Sequence, residues 1–312
     1  MQTYKMTYTA DKSCSSEVSS EAWRLELRVS VGITTKDRWG ELAQTVSQLV
    51  ELGLGDLRII VVDDGSVQAN AEQVCKPLRN CTVIREPVSL GLVEERNRIA
   101  RLTETDYLVS LDDDSCFETP HNLEKAVQYM DANPDVAVLA FWITRTHAKP
   151  GRKMTEDGFQ PSLPMRVPEY NGCGHMLRVA TFRELSGYRG YFHQMCEERD
   201  YSLRVYGSGR RVILFPDVQV AHRLTPTARS STRVSFYGAR NTLLCWLLNL
   251  PLPACLWRCA RSVSGQIFAV LRWRQRCWPT IRGLAASLPA FLQHRHDRRP
   301  LPSSVAREYF SL

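Results

Sequence analysis

The strongest constraint on the fold is an alternation between short apolar strands and helical segments in the first half of the chain. Runs rich in β-branched residues predict buried strands, and apolar residues at three- and four-residue steps predict the helices between them. The predicted strands are residues 27–34, 57–64, 81–86, 106–114 and 136–142, and the predicted helices are residues 42–50, 70–78 and 92–102. Nearly continuous apolar strands that alternate with helices imply an α/β fold, with a mostly parallel sheet flanked by helices on both faces.

The second half of the chain predicts a mixed region followed by a helical tail. Residues 147–168 carry four prolines and two glycines, so we expect a long loop, and loops of that length are often functional lids. Further elements are predicted as helices at 180–185 and 197–205, strands at 211–215 and 218–222, and a helical tail from about residue 230. We therefore divide the chain into a polar extension (1–25), an α/β domain (26–250) and a basic, amphipathic helical tail (251–312).

The net charge of +7 is concentrated in one segment. Residues 253–299 hold nine Arg and one acidic residue, Asp297, whereas the remaining 265 residues are close to neutral. A surface that follows nucleic-acid phosphates would recruit Lys and Arg across the fold. This distribution argues against nucleic acid as a partner and leaves a local anionic partner for the tail.

Cysteine usage and hydropathy favour a cytoplasmic protein. The ten cysteines include no CxxC pair, and a secreted disulfide scaffold is normally much shorter, so we expect free thiols. The N-terminus lacks a basic region followed by an apolar one, so we do not expect a signal peptide. The longest apolar run, residues 242–257, is shorter than the ~20 residues of a spanning helix.

Two acidic clusters follow predicted strands directly. Asp63 and Asp64 follow the second strand, and Asp112, Asp113 and Asp114 follow the fourth. Ligands of open parallel sheets bind beyond the carboxyl ends of the strands, so these five carboxylates are expected at one edge. A solvated acidic loop explains either cluster alone. Two clusters together favour a hard divalent cation, Mg2+ or Mn2+, that bridges to substrate phosphates.

Several segments of the chain resemble the successive motifs of family-2 glycosyltransferases with the GT-A fold, which is a Rossmann-like nucleotide-sugar-binding fold. The segments are VSVGITTKDRWGELAQTVSQL, RIIVVDDGS, EERNRIARL, YLVSLDDDS and EERDYSLRVYGSGRRVILFPDVQVAHR, within about residues 27–250. The resemblance implies an inverting enzyme that moves a sugar from a nucleotide-diphosphate donor to an acceptor hydroxyl. It also implies a divalent cation and one catalytic carboxylate.

The resemblance also implies roles for individual donor-side residues. Thr34, Thr35 and Arg38 match the loop that lines the nucleotide pocket, Asp63 and Asp64 the base or ribose contact, and Arg96 and Asn97 a pair near the donor. The triplet matches the DxD motif, with Asp112 toward the ribose, Asp113 in the middle, and Asp114 toward the metal and diphosphate. His222 matches a further metal or diphosphate contact, and a capping or packing role is the alternative.

The catalytic base is expected within Glu197-Glu198-Arg199-Asp200. The family usually has Glu-Asp-x-Asp here, which assigns the base to Glu198 ahead of Asp200, and either carboxylate can accept a proton. The alternative is a helix N-terminus enriched in acids that suit the helix dipole.

Two further positions bear on substrate binding. Lys36 stands where the family often has a Tyr that stacks on the base. His175 is expected either near a substrate or in a structural role.

The basic tail resembles a helix that lies in a membrane surface. On a helix over residues 256–278, Arg258, Arg261, Arg272 and Arg276 share one side, and Leu256, Val263, Ile267, Val270 and Leu271 share the other. Four of the seven Trp lie in or just before this segment. An Arg-rich face with interfacial Trp is typical of peripheral membrane helices. A tail packed on the domain or in a homodimer is the alternative.

The family resemblance extends this interpretation to the acceptor and the place of action. Many members use saccharide or lipid-linked acceptors at the inner face of the cytoplasmic membrane, in cell-envelope polysaccharide or glycolipid synthesis. Two other functions remain open: a non-catalytic sugar-nucleotide-binding or membrane-adaptor protein, and a sugar nucleotidyltransferase. Residues 31–40 lack the Gly-rich phosphate loop that a sugar nucleotidyltransferase ordinarily carries.

Overall fold

The structure is a computed structural model of the 312-residue chain. It describes residues 24–146, 153–154, 161–223, 230–273 and 277–312. The predicted polar extension up to residue 23, most of the predicted lid, and Arg274 and Arg276 lie outside the described residues.

The strands begin with the predicted alternating series and continue with shorter pieces. They are β1 (Val29–Thr35), β2 (Arg58–Asp63), β3 (Cys81–Arg85), β4 (Tyr107–Asp112), β5 (Ser115–Phe117), β6 (Val136–Thr146), β7 (Lys153–Met154), β8 (Met165–Arg166), β9 (Gly174–Arg178) and β10 (Arg211–His222).

The helices lie between these strands and then form the whole C-terminal part. They are α1 (Leu25–Arg28), α2 (Trp39–Glu51), α3 (Ala71–Cys75), α4 (Leu92–Leu102), α5 (Leu123–Ala132), α6 (Val179–Glu184), α7 (Glu197–Gly207), α8 (Ser231–Asn249), α9 (Leu252–Trp273), α10 (Cys277–His294) and α11 (Ser303–Tyr309). Short 3-10 helices occupy Pro120–Asn122, Gly190–Phe192 and Arg295–Asp297. The helix predicted over residues 256–278 corresponds to α9 up to Trp273 and to α10 from Cys277, and residues 274–276 lie outside the described ranges.

All the strands belong to one sheet, whose main order is β3-β2-β1-β4-β9-β6-β10-β5. Strands β3, β2, β1 and β4 are parallel, as predicted, and β9 then pairs antiparallel with both β4 and β6. The two strands predicted at 211–215 and 218–222 are one strand, β10, with an irregularity between Phe215 and Gln219. The α/β prediction is confirmed, and the second half of the sheet is mixed rather than parallel.

The core has two layers, one on each face of the sheet. Successive side chains of β2 alternate between them: Ile59 and Val61 join one cluster, and Ile60 and Val62 join the other. This alternation follows from the two-residue period of a strand. Both faces are buried because helices cover them, so the carboxyl ends of β1, β2 and β4 are the part of this sheet that is open to a ligand.

The C-terminal helices pack on the end of the α/β domain. Helix α10 lies along α8, and Tyr309 of α11 packs edge-on against Tyr206 of α7. The Arg298 guanidinium donates to the backbone oxygen of Leu247 over 2.6 Å. Among the helices in the described ranges, none combines the length and the apolar character that crossing a membrane requires.

Candidate active site

A cavity of about 930 Å3 opens at the carboxyl ends of β1 and β4, between α7 and the first turn of α8. That volume lies in the range of small-molecule sites. The predicted residues that line it are Thr34, Thr35, Arg38, Asp64, Arg96, Asp112, Asp113, Glu198 and His222. The fold thus brings most of the predicted donor, metal and base residues to one wall.

The acidic triplet at the end of β4 is held by cationic and hydroxyl groups from three other elements. The Arg38 guanidinium contacts Asp113 over 3.0 Å and donates to Asp114 over 2.6 Å. The Thr35 hydroxyl donates to Asp113 over 2.8 Å. His222, at the end of β10, places Nε2 3.2 Å from the Asp114 carboxylate. Arg38 therefore offsets part of the negative charge of the triplet.

The pKa values of Asp113 and Asp114 are shifted in opposite net directions. Burial raises the pKa of Asp113 to about 7, although Arg38 and Thr35 act to lower it. Burial also acts to raise the pKa of Asp114, but the hydrogen bonds and charges of His222 and Arg38 outweigh it and hold that pKa well below its usual range. At neutral pH Asp114 is therefore fully ionised, whereas Asp113, with its pKa of about 7, is in part protonated.

Three residues form a group that could hold a divalent cation: Asp112, Asp114 and His222. One ligand atom from each lies within 4.8 Å of the other two. Two carboxylate oxygens and one imidazole nitrogen suit Mn2+ and similar borderline-hard cations. Asp112 is half-buried at the cavity wall and Asp114 is fully buried behind it. The donor set of this site fits the predicted metal.

Arg96 joins the acidic triplet to the first turn of α7. Its guanidinium donates to Asp112 over 2.8 Å and to Glu197 and Glu198 over 3.1 Å each. The side chain is 5% exposed, so these charge-assisted bonds act in a dry environment. Gly172 adds to the packing, because a Cβ there would lie 2.1 Å from Glu198 Oε1. Glu198 is therefore bonded to Arg96, and both side chains lie close against Gly172.

The backbone before α7 adopts an unusual conformation. Met195 and Cys196 have φ values of 69° and 68°, in the left-handed region that non-glycine residues rarely occupy. Residues in such conformations cost free energy and are concentrated at functional sites.

Burial raises the pKa of Glu198, although Arg96 opposes the shift. A carboxylate with a raised pKa at a cavity wall has the properties of a general base.

Asp200, the second predicted base, is not part of the cavity wall. Its carboxylate accepts from Arg189 over 2.7 Å, from Arg204 over 3.0 Å and from Asn249 over 2.8 Å. It is fully buried, and the charges of the two arginines outweigh burial and lower its pKa. Asp200 therefore connects α7 to α8 and to the loop before α7.

Asn97 and Asp63 also lie outside the cavity lining. Asn97 exchanges hydrogen bonds of 2.8 Å each with the backbone of Tyr188. Asp63 accepts from the backbone N–H of Ser66 over 2.9 Å, which shapes the turn after β2. Asp64 lines the cavity and accepts from the backbone N–H groups of Leu90 and Gly91. His175 is fully buried against Tyr188 and Asn171, and burial lowers its pKa to about 3, which supports a structural role.

Other cavity residues were not predicted from the sequence. Trp142 lies within β6, Tyr170 precedes β9, and Arg233 belongs to the first turn of α8. Glu197 was recognised as an acid of the motif but not as a partner of Arg96. The position of Trp142 at the end of an apolar run was a usable signal. Tyr170 and Arg233 carried none, because their place depends on how the chain returns across the sheet.

The structure is an α/β fold with an acidic cavity at the carboxyl ends of its parallel strands. Comparison with known proteins identifies the family to which such a fold and site belong. A family model described as Glycosyl transferase family 2 matches residues 30–197, which is more than half of the chain. The chain belongs to glycosyltransferase family 2. A Haemophilus influenzae protein named "Uncharacterized glycosyltransferase" is 31% identical over 167 residues, covering 50% of this chain and 53% of that protein. The match therefore spans about half of that relative's length.

Solved structures show the same fold at low sequence identity. GalNAc-T7 with UDP, GalNAc and Mn2+ superposes with a TM-score of 0.57 at 16% identity, covering 72% of this chain and 48% of that one. The mannosyltransferase PcManGT from Pyrobaculum calidifontis, in complex with GDP-Man and Mn2+, gives 0.54 at 15% identity over 85% of this chain and 75% of that one. S. aureus TarS 1-349 gives 0.54 at 15% identity, with 76% and 70% covered. The predicted GT-A fold is thereby confirmed.

Proposed function

We propose that the protein is an inverting, metal-dependent glycosyltransferase that moves a sugar from a nucleotide-diphosphate donor to an acceptor hydroxyl. One observation carries the proposal: the Asp112–Asp114–His222 group and the Glu198 carboxylate lie in one cavity and are joined through Arg96. Substrates bound in this cavity would contact both a cation site and a proton acceptor. An inverting displacement needs both at once, one at the leaving group and one at the attacking hydroxyl.

In this mechanism Glu198 accepts the proton of the acceptor hydroxyl. The acceptor oxygen then forms a bond to the anomeric carbon as the bond from that carbon to the diphosphate oxygen breaks. Glu198 is 18% exposed at its side chain, so it can reach a hydroxyl in the cavity. Arg96 holds the carboxylate in position and shares its positive charge with Asp112. Positioned acid–base groups of this kind contribute typically about 10²–10⁴-fold in rate.

The donor side follows from the remaining residues of the wall. A divalent cation held by Asp112, Asp114 and His222 would stabilise the negative charge that develops on the leaving diphosphate. Thr34, Lys36 and Asp64 lie at the ends of β1 and β2, where a nucleoside enters this fold. Neighbouring structures hold UDP or GDP-Man with Mn2+, which supports a hexosyl or deoxyhexosyl donor of that class.

The division of labour along the chain is also part of the proposal. Residues 26–250 carry the transfer chemistry, and residues 251–312 determine where it takes place. The nine cysteines in the described part are all free thiols, which is consistent with a cytoplasmic enzyme. A saccharide or lipid-linked acceptor used in cell-envelope polysaccharide or glycolipid synthesis fits an enzyme that works at the inner membrane surface.

A donor panel with and without metal tests this function. The purified chain is incubated with UDP-, GDP- and dTDP-sugars in Mn2+, in Mg2+ or in EDTA, and nucleoside diphosphate release is measured. We expect turnover of at least one donor in Mn2+ and its loss in EDTA, with the Asp114→Asn variant inactive under both conditions. Donor binding without turnover would indicate an adaptor protein. Release of nucleoside triphosphate from donor and pyrophosphate would indicate a sugar nucleotidyltransferase.

A further inference from the structure

The outward side of α9 and α10 carries a concentration of exposed large apolar residues. We call this set the outer face; it consists of Leu252, Leu256, Trp257, Ile267, Phe268 and Leu271 on α9, and Trp278, Ile281, Leu288 and Leu292 on α10. Leu271, Phe268 and Trp278 are 73%, 69% and 68% exposed. Exposed apolar residues normally occur singly on a soluble surface, whereas ten of them on two successive helices indicate a surface that meets a partner.

Helix α10 buries small residues and exposes several large apolar ones, which is the reverse of an ordinary surface helix. Its buried side consists of small residues, Gly283, Ser287 and Ala290, which let it approach α8 closely. The residues at the opposite three- and four-residue steps are Trp278, Ile281, Leu288 and Leu292, and all four are exposed. A helix packed only for the stability of a soluble domain places its large apolar side chains inward. The packing of α10 therefore leaves its apolar stripe available to another surface.

The charged residues within α9 and α10 themselves are all arginines. Residues 251–296 contain no Asp or Glu, and residues 253–299 contain nine Arg. Arg261 and Arg282 are exposed beside the apolar residues. Arg258 does not share this exposure, because its guanidinium packs 3.5 Å from the centre of the Phe310 ring. The outer face thus combines apolar side chains with an uncompensated positive charge.

We propose that the outer face binds the surface of an anionic lipid bilayer, with α9 and α10 lying in the interfacial plane. Apolar side chains with Trp bury in the acyl boundary, and Arg at the rim contacts lipid phosphates. A second copy of the chain is the competing occupant. A two-fold contact would place the same face against itself, so it would oppose arginines to arginines with no carboxylate between them. The charge pattern therefore favours lipid.

The outer face is connected to the cavity through α8. Helix α10 packs along α8 close to Phe236, and residues Ser230, Arg233 and Val234 at the start of α8 line the cavity. The bilayer would therefore lie one helix layer from the cavity wall. This placement gives a membrane-borne acceptor access to Glu198, a consequence that rests on the proposed function, whereas the lipid contact itself does not.

Vesicle flotation of the full-length chain tests the lipid contact. The vesicles are phosphatidylcholine alone or phosphatidylcholine mixed with phosphatidylglycerol. We expect the wild type to float with the mixed vesicles and far less with the neutral ones. A Phe268→Gln/Leu288→Gln variant should bind at least tenfold more weakly, because it removes two exposed apolar anchors. The matched control is Val67→Gln/Leu163→Gln, which alters exposed apolar residues outside the outer face and should bind like the wild type.

The charged rim gives a second, independent variant. Arg261→Gln/Arg282→Gln should weaken binding to the mixed vesicles about thirtyfold, since each Arg near an anionic lipid surface contributes about 1 kcal/mol. Added salt should have a similar effect on the wild type.

Other outcomes would overturn the proposal. Equal flotation of the wild type and Phe268→Gln/Leu288→Gln would do so. So would a lack of wild-type flotation combined with a sedimentation-measured dimer that the same variant dissociates, because a second copy would then be the occupant. Donor turnover with a water-soluble acceptor is measured in parallel. It should remain unchanged in these variants, which separates failure of the lipid contact from failure of the proposed function.

Discussion

Gly172 is the residue with the least room in the site. A Cβ at this position would lie 2.1 Å from Glu198 Oε1 and 2.6 Å from the Arg96 guanidinium. Both neighbouring atoms are at the ends of side chains that can move. Substitution would therefore displace the base rather than the backbone, and displacements of about 1 Å in an active site can cost ~100-fold in rate.

We predict that Gly172→Ala lowers kcat at least tenfold while changing the melting temperature little. The matched control is Gly40→Ala on α2, where an added Cβ would have no neighbour within 4 Å. That control should retain full activity and gain up to about 1 kcal/mol of helix propensity. Steady-state kinetics and thermal unfolding of both variants provide the comparison. A fully active Gly172→Ala enzyme would show that the close packing against Glu198 has no catalytic role.

We predict that substitution of Asp200 lowers the stability of the fold rather than directly removing a catalytic group. In Asp200→Asn, Arg189 and Arg204 lose a fully buried carboxylate partner, and breaking such a pair costs about 3–5 kcal/mol of unfolding free energy. Asp135→Asn is the control, since its ion pair with Arg211 is largely exposed and should contribute less than about 1 kcal/mol. Denaturant unfolding at neutral pH measures both.

The effect of Asp200→Asn should also depend on pH. The pKa of Asp200 is lower in the folded chain than its ordinary value, so the ionised pair stabilises the fold fully above that ordinary value. This stabilisation disappears as the pH falls through the lower, folded-state pKa. The difference between variant and wild type should therefore shrink only in strong acid. A constant difference at all pH values would mean that ionisation of Asp200 does not contribute.

The pH dependence of turnover should reflect Glu198. Because burial raises its pKa above the ordinary glutamate value of 4.5, a base at this position becomes protonated, and inactive, at a higher pH than a free glutamate would. We expect kcat/KM in saturating Mn2+ to fall as the pH is lowered, with an apparent pKa above that ordinary value. A profile that stays level down to the ordinary glutamate value would argue against Glu198 as the base.

The sequence predicts well which residues at strand ends line the cavity, and it predicts less well which residues of the later helices do so. The places of Thr34, Asp64 and Asp112 follow from the register of parallel strands, which brings their carboxyl ends to one edge. Glu198 and Asp200 are two residues apart on one helix, so sequence spacing could not decide which faces the cavity. That distinction depends on Arg189 and Asn249, which reach Asp200 from other elements.

At the scale of elements, the α8–α10 contact depends on small residues. A Cβ on Gly283 would lie 2.3 Å from the backbone oxygen of Phe236, an atom that cannot move without displacing the helix. We predict that Gly283→Ala destabilises the fold by about 1–3 kcal/mol. Gly238→Ala, in α8 with no neighbour within 4 Å, should be neutral or slightly stabilising. Thermal unfolding would contradict the prediction if both variants melted alike.

The strand–helix alternation of the first half was predictable because each element follows a simple period. β9 has the same pattern of buried residues, but its antiparallel place between β4 and β6 is set by the return of the chain across the sheet. The irregularity within β10 spans Pro216, which cannot donate to a strand ladder, and two strands are predicted on either side of it. That they continue as one strand depends on the pairing with β6, which the local sequence does not show.

At the scale of the whole molecule, the charge asymmetry corresponds to two surfaces. The α/β domain concentrates its carboxylates in one cavity and pairs them with Arg38, Arg96 and His222. The C-terminal helices carry the excess of arginine and present the outer face on the outside of the domain. Hydrogen bonds from Arg189 to Asp297 and from Arg298 to Leu247 join the two parts. In our proposals, the basic C-terminal helices determine where the enzyme acts, and the acidic cavity carries out the transfer.

The most direct test of the central claim is the transfer rate of Glu198→Gln under saturating donor and Mn2+, together with the donor dissociation constant. Glutamine keeps the shape of the side chain and its contact with Arg96 but cannot accept the proton. We predict that kcat falls by about 10²–10⁴-fold while donor affinity changes less than a few-fold. Transfer by Glu198→Gln at close to the wild-type rate, with the donor bound equally well, would contradict the assignment of Glu198 as the base.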